Sequence, residues 1–278
     1  MNIRCIALDL DRTTLNAQGV LSAGNREALE YAIGRGVHVI IASGRPLESL
    51  PEDVVSIPGV EYAITSNGAA VYHLPTRRRL AHYTLQPELV ELMLRFTADL
   101  PYPLETFIDG KAYADADFLA DPMAYGAPEK SLSYLRRTRT PVQDMPAFIR
   151  EHIEELESLD FVTNGPEAHR LICAYLRPLL SELYITSSVP HLLEISHKDG
   201  GKHSGVRVVA ETLNIPPEEI AAFGDGDNDA DMLRYVGCGI AVANASPACM
   251  AAADRVTLNY NEDGVGRAIL ELLGNEQA

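Results

Sequence analysis

Asp9-Leu10-Asp11-Arg12-Thr13, near the amino terminus, and Gly224-Asp225-Gly226-Asp227-Asn228-Asp229, far along the chain, decide the fold. Each directly follows an apolar run that reads as a buried strand, Ile3 to Leu8 before the first and Ile220 to Phe223 before the second. Parallel strands of a doubly wound sheet end along one edge, and ligands bind beyond their carboxyl ends. The two acidic stretches can therefore meet in space. Carboxylates gathered there cannot all stay ionised without a cation, so the pattern implies a hard divalent metal, with Mg²⁺ the expected ion.

Around the first stretch the grammar is βαβ. Ser22 is a good N-cap for a helix with Leu29, Ala32 and Ile33 on one face, ended by Gly34 and Gly36. Val37 to Ala42 reads as a strand that stops at Ser43-Gly44-Arg45-Pro46. Val60 to Thr65 reads as a third, and Asn67-Gly68 as a hairpin turn into Ala69 to Tyr72. From about Leu85 to Val189 proline-rich joints separate short strands (Glu105 to Ile108, Lys111 to Ala114) from helices predicted at Pro87 to Ala98, Pro146 to Ser158 and Pro166 to Leu180. That is α+β character, expected of a separate inserted domain. After Leu192 to Ile195 the βα alternation resumes, with a helix after Gly201-Lys202, a strand into Asp225 and another over Cys238 to Ala243. The expected fold class is α/β: a Rossmann-like doubly wound parallel sheet core, residues 1–84 and 190–278, with an inserted α+β cap domain, residues 85–189.

The formal net charge of −16 over 278 residues argues against a general nucleic-acid surface, which clustered Lys and Arg would have to supply. An anionic substrate would need positive charge from a metal and a few named side chains. The basic knot Arg136, Arg137 and Arg139 is expected on a solvated loop. Cys5, Cys173, Cys238 and Cys249 show no metal-ligand spacing and read as free, mostly buried thiols. No stretch approaches the ~20 apolar residues of a membrane span, and no basic-then-apolar leader precedes the first strand. A cytoplasmic protein without membrane partners, monomeric or a weak homo-oligomer, is expected.

The chemistry follows from residue types. The pattern DxDxT after a strand also occurs where nucleases and receiver domains bind metal, and turn or capping roles for Asp11 and Thr13 stay open on that stretch alone. The wider set narrows this: Ser43 after the second strand, Lys202 at a helix start, Asp225 and Asp229 after a later strand. A hydroxyl, an ammonium, a nucleophilic carboxylate and a metal are the parts needed to move a phosphoryl group, whose transition state spreads negative charge over oxygens that must be held.

With these residues in view, the chain resembles the haloacid dehalogenase superfamily of phosphatases, and within it the Cof-like branch. The matching stretches are Asp9 to Thr13, Ser43-Gly44-Arg45, Lys202, Gly224 to Asp229 with Met232, and Ala241 to Ala245; Thr65 to Ala69 and Asn261 to Val265 also fit. The middle segment resembles the branch's cap in position and size more than in any motif. The resemblance implies that Asp9 attacks phosphorus to form an aspartyl-phosphate. It implies that Asp11 protonates the departing alkoxide and then activates water. Mg²⁺ would be held by the carboxylates of Asp9 and Asp225 and the backbone carbonyl of Asp11. Ser43, with Gly44 beside it, and Lys202 would hold phosphate oxygens; Lys202 is preferred to Lys198 because it stands at the family's spacing after Glu194-Ile195. Asn228 would add an amide to the phosphate or metal shell, Asp229 would orient Lys202 or a metal water, Thr13 would support the loop, and Arg45 would touch substrate or brace its own loop.

The implied partner is a small phosphorylated metabolite, a sugar phosphate or a phosphorylated cofactor, with selectivity set in the cap. Three positions depart from the family's usual pattern: Arg12 stands in place of Gly, Thr14 in place of Leu, and His203, expected on the exposed side of its helix, in place of Gly. Two other readings compete: a phosphomutase that uses the same aspartate, and a non-catalytic phospho-ligand-binding regulatory protein. The intact set Asp9, Asp11, Lys202 and Asp225 argues against the second.

Overall fold

The computed structural model describes residues 2–163 and 165–274; residues 1 and 275–278, at the ends of the expected core segments, lie outside that description. Fourteen strands run through the described chain: β1 (Cys5–Leu8), β2 (His38–Ala42), β3 (Val60–Thr65), β4 (Ala70–His73), β5 (Arg78–His82), β6 (Leu104–Ile108), β7 (Lys111–Asp115), β8 (Arg139–Val142), β9 (Leu156–Val162), β10 (Leu183–Thr186), β11 (Leu192–His197), β12 (Ile220–Gly224), β13 (Cys238–Ala241) and β14 (Arg255–Val256). They form one sheet in the order β14-β13-β12-β1-β2-β3-β4-β5 and another in the order β10-β11-β9-β6-β7-β8. The chain divides into two compact units, Met1–Arg45 with Leu50–Ala81 and Gly201–Ala278, and Pro46–Ser49 with His82–Gly200. Among the described residues no helix is long and apolar enough to cross a membrane.

In the first unit the six strands β1 to β3 and β12 to β14 are parallel, and β4 runs antiparallel to β3 after the turn at Ser66–Gly68. Their side chains alternate between two dry layers. Ile6, Leu8, Val39, Ile41 and Phe223 pack with Leu29 and Ile269, from the helices Ala23–Gly34 and Gly264–Gly274. Cys5, Ala7, Ile40, Ala42 and Ala222 pack with Val206, Val209 and Met232, from the helices Lys202–Leu213 and Ala230–Tyr235. Burial on both faces is why these strands read as continuous apolar runs. The order of strands reverses beside β1: β2 and β3 follow on one side, β12 to β14 on the other. The β1 and β12 carboxyl ends therefore flank the crevice where such sheets bind ligands. Of the cysteines, Cys5, Cys238 and Cys249 are buried and all four are free, and burial pushes the Cys5 thiol up to about 12.

The second unit corrects three expectations. The helix predicted over Pro146 to Ser158 ends at Glu151, and its last residues open β9, paired antiparallel with both β6 and β11. Leu156, Leu159 and Phe161 suit a helix face and a strand face equally, and pairing on both edges decides for the strand. The helix predicted over Pro166 to Leu180 ends at Tyr175 and gives way to 3₁₀ turns at Arg177–Glu182, where Pro178 denies the ladder an N–H. The run Leu192 to Ile195 belongs to the second sheet, so the stretch 190–200 leaves the first unit, as do residues 46–49 and 82–84. An apolar run carries no mark of which sheet receives it; its partners supply that.

The basic knot is corrected as well. Arg136 and Arg137 are exposed, but the Arg139 side chain is 7% exposed and donates through Nε and a terminal nitrogen to Glu105 Oε1 at 3.1 and 2.6 Å. Its guanidinium also lies over the rings of Tyr134 and Phe107. Glu105, Asp160 and Glu194 sit side by side in register across β6, β9 and β11, all buried. Burial, then repulsion from Glu194 and Glu105, holds the Asp160 carboxyl well above the ordinary carboxylate range. The folded chain thus keeps a proton that the unfolded chain releases near pH 3.8, and stability falls as pH rises from there through the folded value. Asp160 accepts from the Ile195 N–H through Oδ1 and from the Ser158 hydroxyl through Oδ2; an Asn keeps the first through its oxygen and reverses the second, its amide N–H donating to the hydroxyl. Asp160→Asn should therefore raise the urea-unfolding free energy at pH 8 by on the order of 1–2 kcal/mol, with the gain vanishing near pH 4; a loss at pH 8 would contradict this electrostatic account.

Candidate active site

Turns at the carboxyl edge of the first sheet gather the candidate side chains. After β1 the chain turns at Asp9 to Thr14, where the buried Thr14 hydroxyl donates to the Asp9 carbonyl at 2.6 Å. After β12 it turns at Asp225 to Asp229, and the Asp229 carboxylate closes that loop by accepting the N–H groups of Asp225 and Gly226, both at 2.9 Å through Oδ2. Gly224 is required there, since a Cβ would stand 2.4 Å from that of Asp229. The third contributor is Lys202. Gly201 donates its N–H to the Asn67 carbonyl, and Gly68, at φ +94°, lies so near the Gly201 carbonyl that a Cβ on it would come within 2.1 Å. This backbone contact sets the helix start that carries Lys202.

Lys202 is fully buried, and its Nζ donates to Asp9 Oδ1 and Asp229 Oδ1, each at 2.6 Å. Asp9, Asp225 and Asp229 each bring one carboxylate oxygen within 4.8 Å of the others. Asp225 receives the Thr13 hydroxyl at 3.4 Å and faces Arg12 Nε at 3.4 Å. Burial, then repulsion by Asp229 and Asp225, holds Asp9 well above the ordinary carboxylate range against the pull of Lys202. Burial and Asp229 push Asp225 up to about 7 against Arg12 and Lys202. Burial alone would lower Lys202, but Asp229 and Asp9 overcome it and raise the ammonium well above its usual value. Buried Asp9 Oδ2 accepts no hydrogen bond from the described residues. Three crowded carboxylates facing one ammonium are a donor set that fits a hard divalent cation.

Ser43 is buried, its hydroxyl accepting from the Arg45 N–H, with Gly44 against the Asn67 amide. Asn228 donates to Asn67 Oδ1 at 2.9 Å. The Asp11 side chain, 55% exposed, is held bidentately by Arg45 at 2.7 and 2.8 Å. Its carboxylate therefore stands apart from the acidic trio, and any share of Asp11 in holding a metal falls to its backbone carbonyl. Asp229, expected as a supporting residue, is central. Lys198 pairs with Glu182 in the second unit and is absent from this centre. His203 is half-buried beside Ser204, a correction to the exposed position expected, and burial lowers its pKa.

Two residues were missed as site members. Asn67, at φ +52°, links the Ser43, Asn228 and Gly201 segments; its Asn-Gly pair signals only a turn. Asn244 donates to the Arg12 carbonyl at 2.9 Å and approaches Asp225 at 3.4 Å. It lies inside a matched stretch, but no residue-type rule marks it.

A doubly wound sheet with an acid–lysine centre at its switch point is an α/β arrangement suited to phosphoryl transfer. The model of the haloacid dehalogenase-like hydrolases matches residues 6–269, and the chain belongs to that family, in its Cof-like phosphatase branch. The phosphatase YwpJ of Bacillus subtilis is 30% identical over 289 residues, covering 98% of this chain and 100% of its own. The 5-amino-6-(5-phospho-D-ribitylamino)uracil phosphatase YwtE of the same organism is 29% identical over 299 residues, covering 99% and 100%. A solved haloacid dehalogenase-like hydrolase from B. subtilis superposes with a TM-score of 0.82 at 27% identity, over 97% of this chain and 100% of that one.

Removing the shared ammonium leaves Asp9 and Asp229 buried without compensation. In EDTA, Lys202→Met should lower the urea-unfolding free energy by about 3–5 kcal/mol, with the deficit growing from pH 5 to pH 8 as the carboxyls are forced to hold protons. An unchanged midpoint at pH 8 would remove the lysine from its structural role.

Proposed function

We propose that the protein is a Mg²⁺-dependent phosphatase of small phosphorylated metabolites, sugar phosphates or phosphorylated cofactors, working through an aspartyl-phosphate on Asp9. The observation that carries this reading is the asymmetry of one carboxylate: Asp9 Oδ1 is gripped by Lys202 while buried Oδ2 accepts no hydrogen bond from the described residues. One oxygen fixes the orientation and the other keeps its lone pairs for phosphorus. Mg²⁺, when bound by the carboxylates of Asp9 and Asp225 and the backbone carbonyl of Asp11, supplies the positive charge that keeps Asp9 ionised and offsets its repulsion with the phosphate dianion.

The remaining parts follow from the side chains. Asp9 Oδ2 bonds to phosphorus as the ester oxygen leaves, and Asp11 gives that oxygen its proton. Arg45 donates to both oxygens of Asp11 here, so one oxygen must first leave the guanidinium and take a proton from solvent, and that is the proton it then gives to the leaving oxygen. Asp11 then takes a proton from the water that splits the acyl phosphate. Ser43 accepts from the Arg45 N–H and keeps its own proton for a phosphate oxygen, and Asn228 keeps one amide hydrogen beyond its bond to Asn67. The inserted second unit is assigned the choice among organic moieties. A small organic phosphate is supported by the relative YwtE, which is named as a phosphatase of 5-amino-6-(5-phospho-D-ribitylamino)uracil.

Asp9→Asn should lower kcat toward p-nitrophenyl phosphate at least about a thousandfold while leaving the urea midpoint unchanged or higher, since a buried charge is removed. Acid quenching of the wild type with labelled substrate should trap phosphate on Asp9; turnover near wild type in the variant would overturn the nucleophile. EDTA should stop phosphate release and Mg²⁺ restore it, and full activity after exhaustive chelation would remove the metal. Net release of inorganic phosphate from a sugar phosphate separates this reading from a phosphomutase.

A further inference from the structure

We propose that Arg12 is a resident cation that competes with the divalent metal for Asp225, so that this chain binds its metal more weakly than its acidic trio alone would. The inference rests on the Mg²⁺ reading above and concerns a residue that reading does not use.

Arg12 occupies a left-handed turn at φ +61°, a conformation that Gly adopts freely and that residues with a Cβ resist. An outlier of this kind beside a reactive centre points to a role for its side chain. The backbone there is pinned: Asn244 holds the Arg12 carbonyl at 2.9 Å, and Thr14 ties the turn to Asp9. From this platform the guanidinium reaches the acidic trio, with Nε 3.4 Å from Asp225 Oδ2. The Arg12 side chain is 44% exposed and the Asp225 side chain 8%, so a partly solvated cation rests on a nearly buried anion.

Counting charge decides the sign. With all three ionised, as holding a divalent ion requires, Asp9, Asp225 and Asp229 carry three negative charges and Lys202 one positive, leaving two, which one divalent ion neutralises. Arg12 already sets one positive charge against those two. It also donates toward a carboxylate that the metal needs, so binding must repel or displace it. Lys202 does not compete in this way, because its partners are Asp9 and Asp229 and it is walled in. The single 3.4 Å contact of an exposed side chain makes Arg12 the member of the set that can swing away.

The test is a calorimetric titration of Mg²⁺ into the metal-stripped full-length chain, in wild type and variants, at low ionic strength. Arg12→Gln should bind Mg²⁺ about tenfold more tightly, and the ratio should shrink toward one at about 0.5 M KCl as the competing charge is screened. Arg12→Lys should stay near wild type. Arg12→Gly should match the Gln variant in affinity and melt at a higher temperature than it, because only Gly relieves the turn. Equal or weaker Mg²⁺ binding by Arg12→Gln would overturn the competition while leaving the metal site standing. No saturable binding in any chain would overturn the Mg²⁺ reading and this inference together.

Discussion

The site depends on one electrostatic constraint: a single buried ammonium must serve two buried carboxylates that belong to opposite ends of the chain. Lys202 lies 2.6 Å from both Asp9 and Asp229 and has no access to water. The two carboxylates hold the proton on the buried ammonium, and the ammonium in turn offsets part of the cost of burying them. The strands only need to run parallel for the loops to come near one another. The ammonium fixes how near.

The surrounding backbone serves the same end. The Asn67-Gly68 turn and the Gly201 backbone touch so closely that no side chain fits between them, and the next residue is the lysine. Asp229 spends one oxygen on that lysine and the other on two N–H groups of its own loop, so the carboxylate that anchors the cation also shapes the Asp225 turn. Asp9 is left with one satisfied oxygen and one open one. An arrangement that saturates every carboxylate oxygen would be more stable and chemically inert.

How much of this could be read from residues alone varied with the kind of physics involved. The parallel core was legible because strands buried on both faces announce themselves as apolar runs, and their ends carried the acids. Lys202 could be chosen over Lys198 only through the resemblance, and the structure supplies the physical difference: one is buried between acids, the other exposed with Glu182. Arg139 was misread because a cluster of three arginines looks solvated until β8 places one of them against Glu105. The assignment of Leu192–His197 to the second sheet was out of reach for the same reason. Partners across a sheet are chosen by three-dimensional register, which a run of Leu and Ile does not encode by itself. Asn67 and Asn244 escaped notice because an amide at a turn looks the same whether or not it also ties loops together.

The position of β1 in its sheet has a further consequence for the order of biosynthesis. Of the described strands this central one is made before the others, yet one of its two neighbours, β12, is complete only at Gly224. The stretch 82–200 is meanwhile contiguous and finishes earlier. On the ribosome the inserted unit can consolidate while the core still lacks half of its central pairing, since domains generally fold as units during synthesis. The acid–lysine centre therefore assembles late and all at once: a nascent chain carries Asp9 long before it gains the Lys202 and Asp229 that face it.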